Sequence, residues 1–341
     1  MISLNFTNMI DAAILWFQLP GLALVAAALA AAILRGLLAL EKVRQFAPDV
    51  PNHRSLHTQI TPRIGGWVMV PIIALGTLFW ARNLWPIALA ALFVAFVSQF
   101  DDRRGLSARV RFAAHGLAVL MVMLGFSLSL AGWELVLIAF LLLWLINLYN
   151  FMDGADGLAG GMTLFGFSAY AIAAASAAPD LAGVAALVAG AAAGFLVLNW
   201  PPARVFLGDA GSVSLGFLAG ALGFLGWLRE VWPFWFPALV FSPFIADASV
   251  TLCKRLLRGE KFWQAHRTHY YQRMIQMNGS HLGPVRMAYG LMAASAGLAL
   301  ISMQMPMSIQ WTVLAAWALV LISLGWRIDC RWLQYIQEGT H

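Results

Sequence analysis

Apolar runs long enough to cross a membrane dominate the sequence. An α-helix needs about 20 apolar residues to span the hydrocarbon core. Such runs lie near 12–34, 65–81, 84–100, 112–131, 133–150, 158–178, 181–200, 212–229, 233–253, 284–304 and 308–326. Only 11% of the 341 residues are charged, against about 25% in a soluble domain. The sequence therefore predicts an all-α fold, a polytopic transmembrane helical bundle of about eleven spans that forms a single integral-membrane domain over 1–341.

Lys and Arg are concentrated in alternate connecting segments. With the N-terminus outside, 19 of the 21 basic residues fall on one side, and only Arg82 and Arg229 fall on the other. An excess of basic residues in short loops marks the cytoplasmic side. We therefore expect a periplasmic N-terminus, a cytoplasmic C-terminus and cytoplasmic loops near 41–64, 101–111, 151–157, 201–211 and 254–283. This membrane pattern accounts for the net charge of +6 without a nucleic-acid partner.

The first candidate site is a pair of carboxylates, Asp101 and Asp102, at the cytoplasmic end of a predicted span. Adjacent carboxylates repel each other, and a metal ion or nearby arginines would relieve that repulsion. Arginines also bind phosphate oxygens in a bidentate fork. The basic residues that follow the pair are Arg103, Arg104, Arg109 and Arg111. An ordinary basic loop that obeys the charge bias is the alternative interpretation of these arginines.

The second candidate site is a polar stripe around position 150. Its members recur every three residues and are Asn147, Asn150, Asp153 and Asp156. On a helix that continues to the cytoplasmic border, this spacing predicts a single polar face. Gly154 and Gly157 would let a ligand or another backbone approach closely. The stripe favours binding of a nucleotide or a hydrated cation, and a structural polar seam between helices is the alternative.

The third and fourth candidates lie further along the chain. Asp209 stands between glycines just before a span, where the free N–H groups of a helix start suit phosphate and a carboxylate suits Mg²⁺. A simple N-capping turn would also explain it. The largest cytoplasmic loop contains His266, Arg267 and His269. These side chains could line a pocket that binds anions. Zinc is not favoured there, because no Cys or carboxylate completes a ligand set nearby.

Together these segments resemble the polyprenyl-phosphate N-acetylhexosaminyl-1-phosphate transferases of glycosyltransferase family 4. The matching segments follow the family's order and are PNHRSLHTQITPRIGG at 51–66, DD at 101–102, GLSARVRF at 105–112, NFMDGADGLAGG at 150–161, FLGDAGS at 206–212 and HRTHYYQR at 266–273. The His-Arg-Thr-His form is similar to the branch that initiates O-antigen and other surface polysaccharides. The phospho-N-acetylmuramoyl-pentapeptide transferases of the same family carry a run of histidines in the corresponding loop, which this chain lacks.

The resemblance implies an enzyme that uses a UDP-N-acetylhexosamine donor and an undecaprenyl phosphate acceptor and releases UMP. It implies Mg²⁺, for which Mn²⁺ could substitute, bound by Asp209 and Asp102. The residues to which it assigns catalytic roles are Asp101, Asp102, His266, Arg267 and His269. Those that it places at the substrates are Asn147, Asn150, Asp153, Asp156, Arg109 and Arg63.

The resemblance also implies a multi-pass protein of the bacterial cytoplasmic membrane with its active site facing the cytoplasm. A homodimer is compatible with the sequence. Within the family, the phospho-N-acetylmuramoyl-pentapeptide transferase of peptidoglycan synthesis stays open as an alternative. A secondary transporter is the rival of another class, although transporters place their polar sites near the bilayer midplane. The identity of the sugar and the choice between direct transfer and an aspartyl intermediate stay open.

Overall fold

The computed structural model describes residues 6–40, 43, 48–49, 60–126, 130–261 and 266–338, without the side chains of residues 6–16 and Arg103. Most of the predicted loop 41–64 therefore lies outside the described residues. The same holds for the stretch 51–59 of the first matching segment and for residues 262–265 of the last predicted loop.

The described chain is almost entirely helical. Its helices are α1 (Phe6–Ala39), α2 (Gly65–Trp80), α3 (Trp85–Arg104), α4 (Ala108–Gly125), α5 (Gly132–Phe151), α6 (Leu158–Ala174), α7 (Pro179–Asn199), α8 (Asp209–Leu228), α9 (Trp235–Val240), α10 (Ser242–Leu257), α11 (Tyr270–Asn278), α12 (Leu282–Ser302) and α13 (Met307–Glu338), with a 3-10 turn at Arg82–Leu84. Two short strands, β1 (Pro48–Asp49) and β2 (Thr61–Pro62), pair antiparallel. The all-α expectation did not include this pair.

Eight helices in the described part of the chain are long and apolar enough to cross a membrane, and α2 and α6 are shorter apolar helices. The multi-pass helical architecture is confirmed, while the count of about eleven spans and the orientation of the termini stay predictions. The single spanning helix expected over the apolar run 233–253 is wrong. The run forms α9 and α10, which are separated at Phe241. Pro243 lies at the start of α10, where a residue without an N–H is tolerated and the preceding chain is turned away from a continuous helix.

The centre of the bundle is formed by α7 and α8, whose residues are mostly buried, whereas α1 and α13 expose much of their surface. Small residues allow the central helices to pack closely. At Gly190 of α7, for example, an added Cβ would lie 2.1 Å from the carbonyl oxygen of Ala23 in α1. The helix that begins at Asp209, α8, packs closely on α5, where an added Cβ at Gly216 would lie 2.8 Å from the carbonyl oxygen of Leu145.

A backbone contact joins the start of α2 to the chain just before α8. The Phe206 N–H donates to the Pro62 carbonyl at 2.9 Å, and the Gly65 and Gly66 N–H groups donate to the Phe206 and Leu207 carbonyls at 2.9 and 2.8 Å. Arg63 forms a parallel bridge with Phe206. The pairing therefore holds Arg63 beside the turn that leads into Asp209.

Candidate active site

The turn before α8 brings Asp209 against Asp102. Gly208 has a φ of 72°, a conformation that side chains with a Cβ rarely adopt. It lets the chain enter the helix so that the backbone N–H of Asp209 lies near the Asp102 carboxylate. Arg63 lies on the other side of Asp102, with its Nη1 3.4 Å from Oδ1, and its Nη2 is 2.9 Å from Oδ1 of Asp49.

Asp153 and Asn150 complete this cluster from the end of α5. The Asn150 amide interacts with the Asp209 carboxylate. Burial, together with the negative charges of Asp209 and Asp102, holds the pKa of the Asp153 carboxyl well above its ordinary value, and Arg63 opposes only part of this rise. The aspartate cluster, which we define as Asp102, Asp153 and Asp209, thus concentrates carboxyl groups beside Arg63.

Such a concentration of carboxylates is suited to a hard cation, because a nearby positive charge removes their mutual repulsion. Among the described residues, no three His, Cys, Asp or Glu side chains lie close enough to hold a metal ion by themselves. An ion at the aspartate cluster would therefore need oxygen ligands from a substrate or from water.

The adjacent carboxylates Asp101 and Asp102 point to different partners. Oδ1 of Asp101 accepts from the Leu106 N–H at 2.6 Å, and its Oδ2 lies 3.3 Å from Nη1 of Arg111. Asp101 therefore ties the end of α3 to the start of α4, while Asp102 faces Arg63. Arg109, the arginine predicted to contact substrate, is exposed on α4, whereas Arg111 reaches the Asp101 carboxylate.

The single polar face expected along positions 147–156 is wrong, because α5 ends at Phe151. Asp153 and Asp156 lie beyond it, in the turn that contains Gly154 and Gly157. Asn147 donates to the Leu143 carbonyl of its own helix at 2.7 Å. Of the four residues of the stripe, only Asp153, a member of the aspartate cluster, and Asn150, which interacts with Asp209, lie at that cluster.

Asp156 lies on the other side of that turn. Its Oδ2 accepts from the Ala203 N–H at 3.0 Å, and its Oδ1 is 3.3 Å from Nδ1 of His281. The neighbouring Gly157 N–H donates to the Asn199 side chain at 2.8 Å. These contacts join the turn after α5 to the loop between α7 and α8.

The histidine loop, residues 266–269, lies at the same end of α5. The Tyr271 hydroxyl donates to the Phe151 carbonyl at 3.1 Å, and an added Cβ at Gly154 would lie 2.2 Å from that hydroxyl. The His269 ring stacks on Phe151 with centroids 6.2 Å apart. The structure therefore brings the histidine loop to the turn that carries Asp153.

The two histidines of this loop have different surroundings. His269 is buried, whereas His266 is partly exposed and its Nδ1 lies 2.9 Å from the Thr268 hydroxyl. Burial, with the nearby His269 and Arg255, lowers the pKa of His266 to about 4. His266 is therefore neutral near neutral pH. Arg267 is partly exposed, and its carbonyl accepts from the Gln276 side chain at 3.0 Å.

Comparison with protein-family models matches residues 84–226 to glycosyl transferase family 4. This stretch contains the whole aspartate cluster. The chain is 29% identical to a probable undecaprenyl-phosphate N-acetylglucosaminyl 1-phosphate transferase of Bacillus subtilis, over 71% of this chain and 74% of that protein. The chain is therefore similar to the polyprenyl-phosphate N-acetylhexosamine-1-phosphate transferases.

Two other relatives show the breadth of this transferase family. The decaprenyl-phosphate N-acetylglucosaminephosphotransferase of Mycobacterium leprae is 26% identical over 74% of this chain and 76% of its own length. A phospho-N-acetylmuramoyl-pentapeptide-transferase of Syntrophus aciditrophicus is 31% identical over 54% of this chain and 63% of its own length. The relatives therefore include N-acetylglucosamine 1-phosphate transferases as well as the phospho-N-acetylmuramoyl-pentapeptide transferase alternative.

The matched family segment does not extend to the histidine loop or to the residue that anchors it. Asp247 of α10 is buried and accepts from the N–H groups of Tyr270 and Tyr271 at the start of α11, each at 2.9 Å. The sequence alone predicts no role for Asp247. The available signal was its position inside an apolar run, where a carboxylate is costly unless it is paired.

Proposed function

We propose that this protein is a member of that family, and that it transfers N-acetylhexosamine 1-phosphate from a UDP-sugar to undecaprenyl phosphate and releases UMP. The observation that carries the proposal is the aspartate cluster beside Arg63, within the segment shared with the family. The names of the Bacillus and Mycobacterium relatives, which specify polyprenyl phosphates and N-acetylglucosamine, support the same acceptor and donor classes.

The side chains around the cluster have the chemistry that this transfer requires. Donor and acceptor are both phosphates, so they must be aligned while their repulsion is offset. Arg63 and Arg267 supply positive charge for phosphate oxygens, and Asn150 with Asp153 would contact the nucleotide. His269 would stabilise charge on the transferred phosphate. Arg109 and Asn147 are proposed at the substrates on the family resemblance alone.

We propose Mg²⁺ as the cofactor, with Mn²⁺ as a substitute, held by Asp209 and Asp102. The donor set fits this ion, since both ligands are carboxylates. Burial, together with the negative charges of these two carboxylates, raises the pKa of the neighbouring Asp153. When bound, the ion would neutralise charge on the donor diphosphate.

Asp101 is proposed to act by position. Its two carboxylate oxygens accept hydrogen bonds from the Leu106 N–H and from Arg111. These contacts favour a role in holding Arg111 near the acceptor phosphate and disfavour a role in proton transfer. His266 is proposed as a partner of the transferred phosphate in its neutral form. Direct transfer and transfer through an aspartyl intermediate both release UMP.

The pathway is proposed from the histidine loop. The segment His266–Arg267–Thr268–His269 favours initiation of O-antigen or a related surface polysaccharide over the phospho-N-acetylmuramoyl-pentapeptide transferase reaction. We place the protein in the bacterial cytoplasmic membrane with its site facing the cytoplasm, because the cluster and the histidine loop lie at helix ends next to most of the basic residues. A site at helix ends argues against a transporter. A homodimer stays a prediction.

A labelled donor tests the reaction type. Purified protein receives undecaprenyl phosphate, Mg²⁺ and UDP-N-acetylglucosamine with phosphorus-32 in the phosphate next to the sugar. We expect the label in the lipid and UMP as the nucleotide product. A lipid that gains sugar without label, with release of UDP, would overturn the proposal. A parallel reaction with UDP-N-acetylmuramoyl-pentapeptide separates the two branches, and Asp209→Asn protein serves as the control.

A further inference from the structure

Asp247 joins two elements that are separate in the chain, α10 and the histidine loop. Its Oδ2 accepts from the Tyr271 N–H at 2.9 Å, and its Oδ1 accepts from the Tyr270 N–H at 2.9 Å. The same Oδ1 lies 3.2 Å from Nδ1 of His269 and 3.3 Å from the Thr251 hydroxyl. The carboxylate therefore contacts the helix start and the imidazole ring at the same time.

The two backbone contacts have a clear structural purpose. The first N–H groups of a helix have no partner within it, and a negative charge is favourable at that end. The residue that precedes α11 is His269, whose side chain is directed to Asp247. Asp247 thus caps α11 from a different helix, which holds the histidine loop against the end of α5.

The contact with His269 restricts the imidazole ring further. A carboxylate only accepts hydrogen bonds, so Nδ1 of His269 carries the proton and Nε2 is the ring nitrogen left for other partners. The ring is also stacked between Phe151 and Tyr271, at centroid distances of 6.2 and 5.9 Å. Its position and its tautomer are both set before any ligand binds.

We propose that Asp247 is a positioning residue for the transfer reaction. It holds His269 so that Nε2 is available to the phosphate being transferred. In the imidazolium form Nε2 donates to a phosphate oxygen, and the Asp247 carboxylate balances the positive charge. This inference rests on the proposed sugar-1-phosphate transfer, and it adds a residue outside the matched family segment.

A double-mutant cycle distinguishes this role from helix capping alone. The variants are Asp247→Asn, His269→Asn and the double variant, assayed by UMP release with kcat and KM determined separately. Loss of a side chain that orients a histidine typically costs about 10- to 100-fold in activity. We expect Asp247→Asn to lower kcat by that factor with a small change in the KM for the donor. In the His269→Asn protein the same substitution should change kcat by less than about threefold, because residues that act as a unit are not additive.

Asp329→Asn is the matched control. Nη1 of Arg273 in α11 lies 2.9 Å from Oδ1 of Asp329, so this substitution loosens the same helix without contacting His269. Its effect on kcat should be the same factor in the presence and absence of His269. An effect of Asp247→Asn that is also unchanged by the loss of His269 would overturn the proposal and leave Asp247 as a cap.

Two further results keep the test decisive. Near-normal activity of the His269→Asn protein would also overturn the proposal. If Asp247→Asn does not fold, Thr251→Val removes one contact to Oδ1 and retains the cap, and it should lower kcat only while His269 is present. Failure of the wild-type protein to release UMP would instead refute the proposed function, so the two failures are distinguishable.

Discussion

Gly66→Ala tests whether the backbone contact between α2 and α8 assembles the site. An added Cβ at Gly66 would lie 2.2 Å from the Gly211 nitrogen and 2.5 Å from its Cα, whereas ordinary contacts begin at 3.4 Å. The shortfall is 1.2 Å, and the obstructing atoms are backbone, so no side-chain rotation can relieve it. The two helix starts must therefore separate, which moves Arg63 away from the turn that leads into Asp209.

A displacement of this size should affect activity more than stability. Misplacement of reacting groups by about 1 Å can cost about 100-fold in rate, and overpacking costs about 1–3 kcal/mol in stability. We expect kcat for UMP release to fall about 100-fold in protein that still purifies as a folded species.

Gly36→Ala is the control, because an added Cβ there meets nothing within 4 Å. Because alanine is a better helix former than glycine, the stability of the Gly36→Ala protein should equal or slightly exceed that of wild type. Measured rates for Gly66→Ala within about threefold of wild type would refute the inference that this contact positions the site.

Three further predictions concern the metal, the topology and pH. Asp209→Asn should lower turnover by orders of magnitude without unfolding the protein, and EDTA should do the same to wild type; turnover that survives either change would exclude the metal assignment. Cysteines introduced near Arg104 and Pro202 should react only from the cytoplasmic side, and labelling from outside would contradict the predicted orientation. His266 has a pKa of about 4 in the folded protein, against about 6.5 in an unfolded chain. Unfolding therefore takes up a proton, and stability falls as the pH is lowered from about 6.5 to about 4; His266→Gln should reduce that fall in a thermal-unfolding series.

The helices were predictable because hydropathy reports the need to bury apolar side chains in lipid. The ends of the helices at Phe151 and before Phe241 were not predictable, although Gly154 and Pro243 lie close to them in the sequence. An apolar run and a three-residue spacing are compatible with either a continuous or an interrupted helix. The interruption is decided by tertiary contacts such as that of the Tyr271 hydroxyl with the Phe151 carbonyl.

The composition of the site was more predictable than its geometry. Asp102, Asp209, Asn150 and Asp153 were each recognisable as polar residues at a membrane border, and the structure brings them together. Spacing could not reveal that Asp101 turns toward Arg111. The cap that Asp247 gives to α11 joins residues more than 20 positions apart, and a single sequence carries no record of such a pairing.

The pairing of 62–66 with 206–207 has a consequence for how the protein is made. The ribosome synthesises the segment around Arg63 well before residues 206–207, so this pairing cannot form until α2 to α7 have been made. Contacts between distant parts of a chain form late because the intervening chain must first be ordered. A chain that is cut short before Leu207 would carry Asp102 and Asp153 but would lack the partner that brings Arg63 to them, so incomplete products in the membrane should be inert.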